Sequence, residues 1–184
     1  VIVTENLYDE EFLKTFSDMP FLVRMDNLKL LRAKDIDPNY KPATLTNYVN
    51  VLKLGEKPPL PTRQGTQYVS EEIRNEWGDF VMWDKNTNSL KIVTRDHVGT
   101  YFKELGIDPA LEGEYEVTTV DGKTVKVTPV FAFIKQYLVD NCDPDTISEI
   151  TWAPTEAIVN LARTIAANKG GVLLITGMGP NHYW

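Results

Sequence analysis

Apolar positions along this chain change spacing near residue 128, and the change divides the sequence into two predicted architectures. After that point they recur at helical intervals. Thr128-Pro129 opens a predicted helix with Val130, Phe133, Ile134, Tyr137 and Leu138 on one face and Asp140-Asn141 closing it. Asp143-Pro144 opens a shorter one carrying Ile147 and Ile150, with Asp143 suited to the N-cap and Pro144 to the first turn. Pro154 opens a third, whose Ala157, Ile158, Leu161, Ala162 and Ile165 make a narrow stripe that small alanines let pack closely on a sheet. The stop is Asn168-Lys169-Gly170-Gly171. Val172 to Ile175 is then a continuous apolar run, too short for a free-standing helix and β-branched enough for a strand buried on both faces in a parallel sheet. Helix, glycine stop, buried strand and glycine loop make half of a βαβ unit.

Upstream, short runs bracketed by turn residues predict hairpins. Phe21 to Met25 and Leu28 to Leu31 flank Asp26-Asn27, Phe80 to Trp83 and Leu90 to Val93 flank a longer polar loop, and Tyr115 to Val120 and Lys123 to Val127 flank Asp121-Gly122. Val1 to Val3 reads as a strand, followed by a helix capped by Thr4 whose stripe is Leu7, Tyr8, Phe12, Leu13 and Phe16, broken at Pro20. Between Ala33 and Thr66 five prolines among polar residues predict a long surface loop, with one short strand at Tyr48 to Leu54. The expected fold is α/β: a buried parallel strand with flanking helices, plus inserted β-hairpins. Residues 33–127 are expected to form a hairpin- and loop-rich insertion, and residues 128–184 a segment of three helices and a strand.

Composition narrows the function. The 184 residues carry 42% hydrophobic and 24% charged side chains, an ordinary globular balance, and a formal net charge of −7 with no basic block argues against a nucleic-acid partner. The longest apolar run falls far short of the about 20 residues that cross a bilayer. Cys142 is the only cysteine, so the chain can form no internal disulfide and no cysteine-ligated cluster, and it reads as a partly buried free thiol. His97 beside Asp96 reads as a surface or turn histidine, since neighbouring strand residues face opposite ways. The first residue is not Met and the last lies within a loop, so the chain is expected to be an internal fragment of a larger protein.

The candidate chemistry gathers behind the predicted last strand. Gly177 and Gly179 can take positive φ and bring backbone N–H groups close to a ligand, and the carboxyl ends of parallel strands are where α/β proteins hold cofactors. Gly177-Met178-Gly179-Pro180 would serve equally as a tight turn. A turn, however, has no need of the Asn181, His182, Tyr183 and Trp184 that follow.

Ile150-Thr151, Pro154, Ile158, Leu161-Ala162-Arg163, an apolar strand and Gly177-Met178-Gly179 together resemble the central region of the molybdopterin oxidoreductases. Ser17-Asp18-Met19-Pro20-Phe21-Leu22-Val23 and Asn181-His182 with its two aromatics look like the catalytic alpha subunits of respiratory nitrate reductases and nitrite oxidoreductases. The resemblance covers residues 1–32 and 128–184; the Tyr183-Trp184 order departs from the Trp-Tyr order of the reductases and leans the reading towards nitrite oxidation. It implies a multi-domain enzyme with a molybdenum bis(molybdopterin guanine dinucleotide) cofactor and oxygen-atom transfer between nitrite and nitrate. It implies Gly177, Met178, Gly179, Asn181 and His182 against the cofactor, with Asn181 and His182 serving catalysis, and no metal ligand among these residues. The molybdenum ligand and the iron–sulfur cluster are expected outside the chain. An iron–sulfur beta subunit and a membrane electron-transfer subunit are the implied partners, in a membrane-associated complex where this subunit is soluble, on either face of the membrane. The fragment alone is expected to be inactive. The competing reading is an α/β nucleotide-binding or protein-interaction module without redox chemistry, against which stands the absence of Gly-x-Gly-x-x-Gly and Gly-Lys-Ser/Thr motifs.

Overall fold

A computed structural model describes residues 1–45, 49–52 and 67–172. It is 37% helical and 20% strand, a mixed helix and strand content compatible with the α/β expectation. The chain divides into two compact units, Glu10–Ile134 and the pair of segments Val1–Asp9 and Lys135–Trp184. In chain order the elements are α1 (Glu10–Phe16), β1 (Leu22–Arg24), α2 (Ala33–Ile36), β2 (Val49–Leu52), β3 (Gln67–Ser70), α3 (Glu71–Trp77), β4 (Phe80–Asp84), β5 (Ser89–Val93), α4 (Thr100–Lys103), β6 (Tyr115–Thr118), β7 (Thr124–Pro129), α5 (Val130–Asn141), α6 (Pro144–Thr151) and α7 (Thr155–Ala167).

In the larger unit the two later hairpins form as their turn residues predict. β4 pairs antiparallel with β5 from Phe80↔Val93 to Asp84↔Ser89, and β6 with β7 from Tyr115↔Val127 to Thr118↔Thr124. The second ladder stops short of Val120, because the Val120 N–H turns away to the Asp35 carbonyl at 2.8 Å. Gly122 then closes the turn at φ +79°, a conformation that L side chains resist. The Asp26-Asn27 reversal is wider than a two-residue hairpin. Arg24 N–H reaches the Lys29 carbonyl at 2.9 Å across a loop that holds Leu28 at φ +56°, and β1 takes its main partner from β7 instead, Leu22↔Pro129 to Arg24↔Val127. The result is a three-stranded antiparallel sheet in the order β1-β7-β6.

Strand periodicity sets the core. Alternate residues of β4 face opposite sides, so Val81 joins a cluster with Leu22, Leu31, Val117, Val125 and Val127, while Phe80 and Met82 join Val93 and Phe102. One strand thereby ties two apolar clusters together. The expected short strand within the proline-rich stretch is β2, which runs parallel to β3 from Val49↔Gln67 to Leu52↔Ser70. β3 and α3 were not anticipated, although Ser70 caps α3 by accepting from the Ile73 N–H and Glu71-Glu72 supply acids to its first turn.

Two expectations for the first residues are corrected. Val1 to Val3 is a turn, with Glu5 N–H on the Val1 carbonyl at 3.0 Å and Leu7 N–H on the Ile2 carbonyl at 2.9 Å. Local closure satisfies the backbone groups that a strand would leave to a neighbour. The Thr4-capped helix begins only at Glu10.

Two buried carboxylates lock the larger unit. Asp84 accepts from the Thr87 hydroxyl at 2.7 Å, the Asn86 N–H at 3.1 Å and the Asp108 N–H at 3.0 Å. Burial alone would raise its pKa, but these bonds together hold it below the ordinary carboxylate range. Asp79 is fully buried and meets Arg74, itself only 3% exposed, at 2.5 Å. Tyr40 donates its hydroxyl to the same carboxylate, and the Ala43 N–H does so at 3.2 Å. Arg74 completes the network by donating to the Gly78 carbonyl at 2.7 Å and the Ala43 carbonyl at 2.9 Å. The Asp79 bond also opposes ionisation of the Tyr40 hydroxyl, whose pKa rises through burial first and this bond second.

Removing Asp79 strands a buried guanidinium. Asp79→Ala is expected to cost about 3–5 kcal/mol of unfolding free energy and Tyr40→Phe about 1.5–3 kcal/mol. Urea denaturation of the two variants checks the order; equal, sub-kcal losses would contradict the network. At the β6–β7 turn, the Thr119 hydroxyl and then Lys123 pull the Asp121 pKa down to about 2. Its folded value lies below the unfolded one, about 3.9. The contribution to stability is therefore present above pH about 4 and lost as pH falls through about 2. A carboxyl NMR titration is expected to place Asp121 near 2 and to move it upward in Thr119→Val; an unshifted midpoint in that variant would remove the hydroxyl as the cause.

Candidate functional site

The smaller unit leads towards the glycine loop along the helices read from sequence. Asp143 caps α6 by accepting from the Asp145 N–H at 3.1 Å and the Thr146 N–H at 3.0 Å, with Pro144 in the first turn. Trp152 ends α6 in the left-handed conformation, φ +62°, and Pro154 begins α7, which stops at Asn168 before Gly170 at φ +76°. Within this unit the Arg163 guanidinium grips the Glu5 carboxylate with two bonds of 3.1 and 2.7 Å, and Lys169 Nζ donates to the Tyr8 carbonyl at 3.2 Å. These contacts tie the first residues of the chain to the helix that precedes the loop. Leu161, on the predicted apolar stripe of α7, is 61% exposed among the described residues. Cys142 is a half-buried free thiol, as read from the sequence.

The loop itself, Gly177, Met178, Gly179, Asn181 and His182, lies outside the described residues, as do Leu173 to Ile175 of the expected buried strand. Asp18 is an exposed turn residue whose carbonyl accepts the Phe21 N–H at 3.0 Å. Among the described residues no group of three or more His, Cys, Asp and Glu side chains is placed to hold a metal ion.

Among the cavities that the described residues line, one in the larger unit, of about 450 Å3, combines aromatic walls with two arginines and a histidine. Phe21, Leu30, Phe80, Met82 and Phe102 give it apolar walls, and Arg32, Thr94, Arg95 and His97 a polar side. The Arg32 guanidinium lies 4.3 Å from the centroid of the Phe80 ring and that of Arg95 5.0 Å from it, while Arg95 also lies 4.4 Å from the Trp77 ring. Phe80 in turn stacks on Phe21 at 4.2 Å between centroids. Burial pulls both arginines below the ordinary guanidinium range, and the neighbouring charges of Arg32 and Arg74 lower Arg95 further. His97 sits in a turn, as expected, with its Nδ1 accepting the Thr94 N–H at 3.0 Å. Sequence reasoning passed over both arginines. Arg32 directly follows Leu30-Leu31, and Arg95 follows Ile92-Val93 after one threonine, where a long cation is a signal worth testing.

No protein-family model matches the chain. It is 30% identical over its whole length to the perchlorate reductase alpha subunit of Dechloromonas aromatica (strain RCB), spanning 18% of that protein. It is 33% identical, again over its whole length, to the respiratory nitrate reductase alpha subunit of Haloferax mediterranei, of which it spans 16%. The dimethylsulfide dehydrogenase alpha subunit of Rhodovulum sulfidophilum is 27% identical to the whole chain, which spans 16% of it. The chain thus spans less than a fifth of the length of these curated relatives.

The Thr94 contact fixes a tautomer, because an Nδ1 that accepts must leave the proton on Nε2 of the neutral ring. Nitrogen-15 shifts of neutral His97 are expected to report Nε2–H; an Nδ1–H pattern would contradict the turn geometry.

Proposed function

Because this chain belongs to the molybdopterin oxidoreductases, aligning along its whole length with their alpha subunits, we propose that it forms one wall of the cofactor site in an enzyme that transfers an oxygen atom between nitrite and nitrate. The observation that carries the reading is the end-to-end alignment with a respiratory nitrate reductase alpha subunit. The perchlorate reductase relative supports the wider class of small oxyanions. Each of the three relatives bears the name of a redox enzyme, which favours this reading over a binding module without redox chemistry.

The wall is the run Gly177-Met178-Gly179-Pro180-Asn181-His182. Its donor set fits an anionic, hydrogen-bonding group: backbone N–H groups freed of side chains at two glycines, a carboxamide, an imidazole and no carboxylate. We assign Gly177, Met178 and Gly179 to backbone contact with the molybdenum bis(molybdopterin guanine dinucleotide), and Asn181 and His182 to the pterin edge and the substrate. When bound, that group supplies the two-electron oxygen-atom transfer, nitrite and water giving nitrate, two protons and two electrons. His182 exchanges a proton with the reacting oxyanion, and Asn181 orients it through either edge of its amide.

Residues 1–184 on this reading are an internal part of the catalytic domain, in which 33–127 is the hairpin- and loop-rich insertion and 128–184 the cofactor edge. The electrons would pass through an iron–sulfur cluster outside these residues to an iron–sulfur beta subunit and a membrane electron-transfer subunit. The complex would be membrane-associated with this subunit soluble. Among the described residues no helix is long and apolar enough to cross a membrane.

In the full-length enzyme, Gly179→Val is expected to lower molybdenum content, since a branched side chain both resists positive φ and fills space meant for the cofactor. His182→Ala is expected to keep the metal and lower turnover by more than about 10-fold. Metal analysis and paired assays, nitrite with an artificial acceptor and nitrate with an artificial donor, read both. Normal molybdenum and normal turnover in the two variants would make the loop a surface turn, and substantially faster turnover with perchlorate than with either nitrogen oxyanion would reassign the substrate.

A further inference from the structure

The charged cavity of the larger unit contains more positive charge than its own residues neutralise. Arg32 Nη1 and Arg95 Nε are buried and have no hydrogen-bond partner. Neither guanidinium is paired with a carboxylate among the described residues. Stacking on Phe80 does not remedy this. A guanidinium over a ring is held through its flat face, whereas its N–H groups point outward in the plane and still require acceptors.

Two of the neighbouring ionic groups, Asp79 and Lys14, are already committed. Asp79, which favours both cations electrostatically, spends its oxygens on Arg74, Tyr40 and the Ala43 N–H. Lys14, at another side of the cavity, is held by Glu10 at 2.5 Å and Asp108 at 2.7 Å. Asp18 lines the cavity from an exposed turn and makes no ion pair among the described residues. What remains is two half-buried cationic forks on one aromatic plate, each with one buried nitrogen that lacks an acceptor, beside a histidine whose neutral ring presents an Nε2–H donor.

We propose that this cavity is a binding site for a small oxyanion, held between Arg32 and Arg95 against the edge of Phe80. The planar fork of a guanidinium matches two oxygens of a phosphate, nitrate or carboxylate, and two forks can divide the oxygens of one anion. The Thr94 hydroxyl and the His97 Nε2–H are additional donors on the polar side of the same cavity. Phe21, behind Phe80, stiffens the plate, so the cations are held in place before the anion arrives. The proposal does not rest on the oxidoreductase assignment.

The test is an NMR titration of the 184-residue chain with sodium phosphate and, separately, sodium nitrate, at ionic strength held constant with chloride. The Nε–H resonances of Arg32 and Arg95, assigned through Arg32→Lys and Arg95→Lys, are expected to shift and saturate with at least one of the two anions. That of Arg163, whose guanidinium is taken by Glu5, is expected to stay still. Affinity is expected to fall about tenfold or more in Arg32→Met and in Arg95→Met and to recover partly in the lysine variants, with the β4–β5 amide spectrum unchanged as the control for folding. Shifts that grow linearly without saturation, that chloride reproduces, or that survive both methionine substitutions would overturn the proposal.

Discussion

The fully buried Asp79 carboxylate is the constraint around which the larger unit is arranged. A buried carboxylate without partners is untenable, and this one sits at the entry to β4, the strand whose alternate faces serve both apolar clusters. Its partners come from two separate stretches, and the backbone carbonyl of the same residue binds a third. Arg74 comes from α3, Tyr40 and Ala43 from the segment after α2, and the Asp79 carbonyl accepts the Ala33 N–H at 3.0 Å. The charge and the carbonyl of one residue together therefore tie α2, α3 and the start of β4 to each other.

The same arrangement decides which arginines are structural. Arg74 gives its guanidinium to Asp79 and to the carbonyls of Ala43 and Gly78, and is inaccessible. Arg32 and Arg95 lie near enough to Asp79 to feel its charge, yet their guanidiniums pair with neither it nor any other carboxylate among the described residues; Asp35 accepts only the Arg32 backbone N–H, at 2.9 Å. They rest on Phe80, the residue after Asp79. A carboxylate partner thus separates one arginine that holds the fold from two whose guanidiniums have none among the described residues.

Legibility followed the range of the interaction. The caps of α6 and α7 and the β4–β5 and β6–β7 hairpins rest on residues within a few positions of one another, and Asp143-Pro144, Pro154 and Asp121-Gly122 announce them. The pairing of β1 with β7 and the Arg74–Asp79–Tyr40 network join distant residues, for which a single sequence has no periodic signal. Val1 to Val3 misled because β-branched residues raise strand propensity without supplying a neighbour. The candidate loop was visible through glycine spacing and the Asn181-His182 pair, and the family through motifs at both ends of the chain. Arg32 and Arg95 were not, since only folding brings them onto one ring.

A double-mutant cycle across Asp79 tests the division of labour most directly, pairing Asp79→Asn in turn with Arg74→Met, Arg32→Met and Arg95→Met and reading unfolding free energies. Contact pairs couple by about 0.5–3 kcal/mol or more, and charges that share no bond add nearly independently. The account predicts strong coupling for Arg74 and less than about 0.5 kcal/mol for the other two. Coupling of Arg32 or Arg95 as large as that of Arg74 would mean that Asp79 neutralises all three, and would contradict the claim that the cavity retains unmatched positive charge.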